Sequence, residues 1–471
     1  MRMQRMNENI AMPFQKYPAV AKLCEKERKT KLADYLGRIG HSSLTSIMPL
    51  EDLTEEVESY FATFFNREIA SKAAKVIGTH RCLSTANHHH FAFEYMTVQE
   101  TMLYDMWLMK QTGGSFADLP LEHSAESPVV PFFAASNLNL TNTLYPRGMI
   151  VYDCSLPKGS LRIPLYPWKL KRQCVATLDG ISSQMVAKAK ERIGKEVVNG
   201  TISRLMGDSL DGFCNAVLLS NDVLKYSTLR EQTTIVNSMI SQRYFKDRSP
   251  LYLWMPLETL ATRLLIRDLR HEDGILYNIL FCDELRVHIL QNLNGVSGCW
   301  TEDTGGTHFF WGLDSRHVLF PLKVTEKNGE AFLNGMNSLE EEVNIPFTKE
   351  AVLEELDKLR LLPGLFLCFL EIHFLRDFTV FGGYYQPTYL GQMSNGLVKS
   401  LRELKIFENE ASIIESKKNY MTLGLTYFFR ENHRGIYPVS TAELLEEPIS
   451  LDELEGLMDI TIEDSLNCIA F

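Results

Sequence analysis

The sequence has no Cys-X-X-Cys pair, although it holds nine cysteines: Cys24, Cys82, Cys154, Cys174, Cys214, Cys282, Cys299, Cys368 and Cys468. An odd count at wide spacing excludes a disulfide framework and a thioredoxin-type or zinc-ribbon motif. It reads as reduced, mostly buried thiols in a reducing compartment. No apolar run is long enough to cross a bilayer. The most apolar stretch, 364–375, is interrupted by Glu371 and His373, so no membrane partner is expected. The opening MRMQRMNENIAMPFQKYP has no apolar h-region, which makes a secretory signal unexpected and a cytoplasmic location the expectation. Positive charge is short: 48 Lys and Arg against 59 Asp and Glu give a net charge of -11. Such a chain does not bind phosphate backbones by bulk charge. Its best local basic patch, Lys169, Lys171 and Arg172 beside Trp168, reads as a solvated strand end, and no nucleic-acid partner is expected. No P-loop, GxGxxG, GxSxG, HExxH or kinase signature occurs. P-loop hydrolysis, classical NAD binding, serine-hydrolase chemistry and a zincin site are therefore disfavoured. Repeats and low-complexity tracts are absent as well.

What is present is ordinary globular material. Apolar residues make up 45% and charged residues 23% of 471 positions, enough for two or three domains or one large core with insertions. Three regions are expected: an N-terminal helical segment over 1–75, an α/β core with inserted helical and β segments over 76–400, and a C-terminal tail with short helices over 401–471. Helical spacing is visible at 50–65, 91–110, 177–198 and 227–244. Thr348 is placed to cap a helix over 349–361, broken by Pro363 and Gly364. Ser440 with Glu443 and Ser450 with Glu453 form capping boxes. Strands are expected at 81–85, 129–135, 307–310, 318–324 and 378–381, the fourth reached through a turn at Asp314-Ser315-Arg316. Strand, polar turn, helix, strand, polar turn is the βαβ pattern of a mainly parallel sheet, whose ligand site lies at the carboxyl ends of its strands.

Those strand ends carry the candidate site. The first is Asn87-His88-His89-His90, with His80 upstream. At the start of a helix such residues suit a phosphate, and a histidine there can act as acid or base near neutral pH. The alternative is that they only cap the helix or face water. Adjacent histidines diverge, so one metal ion is a poor fit and none is expected. The second turn offers Asn137, Asn139 and Asn142, either ligand-facing amides or ordinary turn formers. Arg147 follows, a clamp for a carboxylate or phosphate or one half of a salt bridge. The third is Gly382-Gly383 with Gln386 and Tyr389 beyond it. Paired glycines allow close approach of a ligand or tight chain packing. Arg263 and Arg267, four apart, read as a solvated helix face. His308, His317 and His373 sit among apolar neighbours and read as satisfied structural histidines.

The order of elements resembles the bacillithiol cysteine-adding enzymes. The resemblance rests on Thr85-Ala86-Asn87-His88 in place of their Thr-Gly-Gln-Gln turn, and on Val129-Val130-Pro131-Phe132-Phe133 as the next strand. It rests also on a hairpin from Phe309-Phe310-Trp311 through Arg316 to Leu319, and on Leu362-Pro363, Phe381-Gly382-Gly383 and Tyr389. It implies a Rossmann-like core with inserted segments and a homodimer built on a coiled coil. It also implies a cytosolic biosynthetic enzyme, a ligase or transferase joining an amino acid or similar acyl group to an amine, with a small-molecule substrate and ATP or ADP as a nucleotide. On that view His88 and His89 would serve as phosphate contacts or acid and base, and Arg147 would hold a carboxylate. The others, Asn87, His90, Asn137, Asn139, Asn142, Gly382, Gly383, Gln386 and Tyr389, would line the ligand. The chain departs from the family in two respects. The family's second turn is acidic and His-bearing, whereas this one is Ser136-Asn137-Leu138-Asn139, and no long heptad run is present for a coiled coil. Two other readings therefore stay open: a non-catalytic binding or assembly protein of the same fold, and a His-dependent nucleotidyl transferase or metal-dependent hydrolase.

Overall fold

In the computed structural model, residues 17–39, 45–85, 91, 103–104, 107, 129–134, 148–152, 160–166, 173–246, 250–301, 305–417, 422, 425–426, 428–432 and 435–467 are described. The protein is mixed α/β. Two helices, α1 (Pro18–Glu27) and α2 (Leu32–Ile39), come first. A helical hairpin follows, α3 (Leu50–Phe61) and α4 (Arg67–His80), packed along each other. Asn66 caps α4 by accepting from the Ile69 N–H at 2.9 Å. The buried positions Ile69, Ala70, Ala73, Ala74 and Ile77 make the apolar stripe that docks it. Arg81, in left-handed backbone, ends the helix and turns the chain straight into β1 (Cys82–Ser84).

Two parallel strand pairs organise the middle of the fold. β1 pairs with β14 (Thr379–Phe381), Leu83 opposite Val380 and Ser84 opposite Phe381. β2 (Val129–Ala134) pairs in parallel with β5 (Leu251–Pro256), from Val129 opposite Leu251 to Ala134 opposite Pro256. β1 also lies beside β2. These strands divide two hydrophobic cores. Leu251, Leu253 and Met255 face one core and Tyr252 and Trp254 the other; Val380 and Phe381 split in the same way. A strand buried on both faces has no polar positions to alternate with; β5 is such an unbroken apolar run, and it is not among the strands expected from the sequence. One core is built from α1, α2, the hairpin β3 (Gly148–Tyr152) and β4 (Ser160–Pro164), the helices α5 (Ser183–Val198), α6 (Arg204–Phe213) and α7 (Leu229–Tyr244), and the C-terminal helices. The other holds α3, α4, α8 (Leu257–Asp268) and the segments from there to residue 414.

The remaining described strands are antiparallel and local. A Trp300–Thr301 strand (β6) meets Gly305–Gly306 (β7). β8 (Phe310–Leu313) lies between β9 (Leu319–Pro321) and β13 (Leu361–Pro363). A meander joins β10 (Lys323–Lys327), β11 (Glu330–Met336) and β12 (Glu342–Pro346). The β8–β9 turn is held by the Asp314 carboxylate, which accepts from the Arg316 and Val318 N–H groups, matching the expected turn. No sheet among the described residues exceeds three strands.

Several local expectations shift. The strand expected at 307–310 lies at Phe310–Leu313, because Phe309 adopts left-handed backbone with φ 60°. The helix capped by Thr348 is α9 (Lys349–Asp357), and it stops well short of residue 361. Leu359 turns left-handed at φ 54°, and Leu361–Pro363 joins the β8 sheet as β13. Helix α5 starts at Ser183, under a Ser182 cap, not at 177. Arg263 and Arg267 do not face solvent alone. Both reach α3, Arg263 to Glu56 at 3.4 Å and Arg267 to Asp52 at 2.6 Å and Glu55 at 2.9 Å. The helix expected at 91–110 lies mostly outside the described residues; within it Leu103, Tyr104 and Trp107 are helical and buried.

Candidate functional site

At the carboxyl end of the β1–β14 pair the chain makes a short turn, Gly382 to Tyr385, and enters α10 (Gln386–Leu404), with Pro387 in its first turn. The Thr85 N–H continues the ladder to the Phe381 carbonyl at 2.8 Å. The Thr85 hydroxyl donates to Gln386 Oε1 at 2.8 Å, and the Tyr389 hydroxyl donates to the same oxygen at 3.3 Å. Gln386 is only 3% exposed, and its Nε2 has no hydrogen-bond partner among the described residues.

Gly382 is required by close packing. A Cβ there would stand 2.3 Å from Gln386 Oε1 and 3.1 Å from Thr85 Oγ1. Gly383 differs, since a Cβ there would meet open space. The turn is held from behind: Thr422 donates to the Gly382 and Gly383 carbonyls, and Tyr35 on α2 donates to the Thr422 carbonyl at 2.6 Å. In front of it stand three aromatic rings. Tyr17 lies 4.3 Å edge-on from Tyr385 and 5.7 Å from Tyr384. Burial and the Tyr385 hydroxyl push the Tyr17 phenol up to about 12. Tyr385 is 55% exposed.

Of the residues expected to line a ligand, Gly382, Gln386 and Tyr389 are therefore brought together at one strand end, and Gly383 adjoins them. Asn87, His88, His89, His90, Asn137, Asn139, Asn142 and Arg147 lie outside the described residues, so their convergence with Gly382 does too. Thr85 and Ala134, the last described residues before the first two polar turns, end the parallel strands β1 and β2. Sequence reasoning passed over the locking role of Thr85, although a hydroxyl one residue past a buried strand is a readable signal. Tyr17, Tyr35 and Thr422 reach the turn from distant parts of the chain, and nothing local in the sequence marks them.

Other reactive groups are placed elsewhere. Burial pushes the Cys24, Cys174, Cys214 and Cys299 thiols up to about 12, the opposite of what a thiolate nucleophile needs. His373 is buried, with Nδ1 on the Phe378 carbonyl, and His308 Nδ1 accepts from the Val324 N–H at 3.0 Å. His317 departs from expectation: it is exposed in the β8–β9 turn with φ 60°. Among the described residues no group of three His, Cys, Asp or Glu is arranged to hold a metal ion, and no helix is long and apolar enough to cross a membrane. Comparison with known proteins found no matching family model, no matching curated protein and no matching solved structure.

Proposed function

We propose that the parallel pairs β1–β14 and β2–β5 are the centre of a Rossmann-like core whose strand ends bind a small molecule. On this reading the protein is a biosynthetic enzyme that joins an amino acid or similar acyl group to an amine, with ATP or ADP as its nucleotide. One observation carries the reading. The β1–β14 pair ends in a glycine turn that leads directly into a long helix, with Thr85, Gln386 and Tyr389 gathered at that end. Crevices beyond the carboxyl ends of parallel strands are where α/β sheets take their ligands. The amide-forming chemistry comes from the family resemblance. In it His88 and His89 act on the phosphate or as acid and base, and Arg147 holds the carboxylate.

The test is a thermal-shift panel of purified protein against ATP, ADP, AMP and the amino acids at millimolar concentration. A ligand that binds only the folded state at a hundred times its Kd adds about 2.7 kcal/mol of stability. A rise in Tm with at least one nucleotide or amino acid, lost in Gly382→Ala, is the expected result. The alanine methyl would displace Gln386 Oε1 and so the far end of the site. No shift with any member of the panel would overturn the proposal.

A further inference from the structure

Gln386 carries the strongest unanswered feature of the described residues. It is 3% exposed, and its Nε2 has no partner among the described residues. A buried N–H is normally satisfied, because leaving it empty forfeits the bonds it would make to water. The orientation of the carboxamide follows from its neighbours. The Thr85 hydroxyl lies 2.8 Å from Gln386 Oε1 and 3.2 Å from the Phe381 carbonyl, which also takes the Thr85 N–H at 2.8 Å, so the shorter contact places the hydroxyl proton on Oε1. The Tyr389 hydroxyl adds a second donor to that oxygen at 3.3 Å. Two donors on Oε1 leave Nε2 as the unsatisfied group of the carboxamide, and Nε2 can only donate.

The surroundings decide what it donates to. Gln386 is the first residue of a 19-residue helix, whose amino end carries partial positive charge. The backbone donors of that first turn are spent. The Gln386 N–H goes to the Gly383 carbonyl, the Thr388 and Tyr389 N–H groups go to the Tyr385 carbonyl, and Pro387 has none. The side-chain amide is thus the donor that this helix end has to offer. Donor chemistry at a positive helix end selects an acceptor oxygen with negative charge and rejects an ammonium. We propose that Gln386 Nε2 binds an anionic oxygen of the ligand, a carboxylate or a phosphate, and so decides which end of the substrate enters the β1–β14 strand end. The proposal deepens the reading of this strand end as a ligand crevice and rests on it.

The test measures Tm and affinity for sodium phosphate, sodium acetate and methylammonium chloride in the wild type, Gln386→Glu and Gln386→Met. Phosphate or acetate should stabilise the wild type, and whichever does so names the source of the anion. Gln386→Glu keeps the shape but replaces the donor with a like charge, and should weaken that binding by about tenfold to a hundredfold. Gln386→Met removes the unsatisfied Nε2 together with the acceptor of the Thr85 and Tyr389 hydroxyls, so it should lower Tm modestly and still fold while binding is lost, which covers the case in which the glutamate variant does not fold. Stabilisation by methylammonium alone, no response to either anion, or unchanged anion affinity in Gln386→Met would overturn the inference. The two proposals fail separately. Anion binding that depends on Gln386, with no response to nucleotides or amino acids, removes the amide-forming reading and leaves this one standing. Nucleotide or amino-acid binding that is indifferent to Gln386 does the reverse.

Discussion

His308 is half-buried against the edge of the Trp300 ring, and its Nδ1 accepts the Val324 N–H. Burial, with Lys323 nearby, lowers its pKa from 6.5 to about 4. The imidazole is therefore neutral in the folded protein at pH values where the unfolded chain already takes up a proton. Stability is complete above pH 6.5 and is lost progressively as pH falls through 6.5 toward 4. The loss by about pH 5.5 is on the order of 1 kcal/mol. Urea denaturation between pH 7 and 5 should show it, and His308→Gln, which cannot titrate, should flatten that part of the profile. A variant with the wild-type slope would show that other groups set it. Part of this was legible: an apolar neighbourhood marked His308 as a structural histidine. The same cue misplaced His317, because a histidine in left-handed backbone at a turn tip is exposed whatever its sequence neighbours are.

At the scale of elements, α8 is tied to the segment before β14 by buried charge. Arg376 grips Asp268 at the end of α8 with two bonds of 2.9 and 2.7 Å, and donates to Glu371 at 2.6 Å. All three are at most 2% exposed, and Glu371 lies in a π-helical turn, Leu370–Phe374. Burial raises the Glu371 pKa well above the ordinary carboxylate value; Arg376 opposes that shift and Asp268 adds to it. Removing the shared cation leaves the buried Asp268 carboxylate uncompensated and Glu371 without its donor, so Arg376→Met should cost about 3–5 kcal/mol. Glu371→Gln keeps the shape of a carboxyl group already held toward its protonated form, and should cost clearly less. Chemical denaturation of both variants checks the order, and equal losses would contradict the protonation argument. The sequence reveals the members of such a triad but not its assembly, because Asp268 and Arg376 are far apart along the chain. Arg263 and Arg267 show the same limit. Four residues apart, they read as a solvated face, and their partners Asp52, Glu55 and Glu56 on α3 lie in a distant part of the chain. By contrast β2 and β14 were legible, β2 from its continuous apolar run and β14 from the short, mostly apolar Phe378–Phe381 before a glycine turn.

At the scale of the whole molecule, the last described segment is a clasp. The acidic tail reads in the sequence as short capped helices, and Ser440 with Glu443 does form a reciprocal capping box on a Thr441–Glu446 helix. Ser450 caps the next, Leu451–Met458, by accepting from the Glu453 N–H at 3.2 Å. Their acidic residues do not make them a free arm. Ile449 exchanges backbone hydrogen bonds with the end of α7, through the Tyr244 carbonyl and the Lys246 N–H. The Ile460 carbonyl accepts from Leu32 N–H, and Ile462 N–H donates to the Thr30 carbonyl, so the tail is stitched to α2 at the other end of the chain. Ile449, Leu454, Leu457, Met458, Ile462 and Leu466 are all buried in the core that α1, α2 and α7 share. Each contributes roughly 1.5–3 kcal/mol relative to exposure. Together they rival the about 5–15 kcal/mol that holds a typical domain folded. A chain ending at residue 447 should therefore fail to fold to a soluble protein, because its loss strips one wall from the core behind the Gly382 turn. The surface pair Arg28–Glu463 lies on the same seam and is open to solvent, with Arg28 exposed and Glu463 half-buried, so Arg28→Ala should cost no more than about 1 kcal/mol. Soluble yield and Tm of the two variants distinguish a clasp built from apolar burial from one built from charge. A folded, cooperative protein lacking residues 448–471 would refute the clasp, and would make the tail available as a separate binding element.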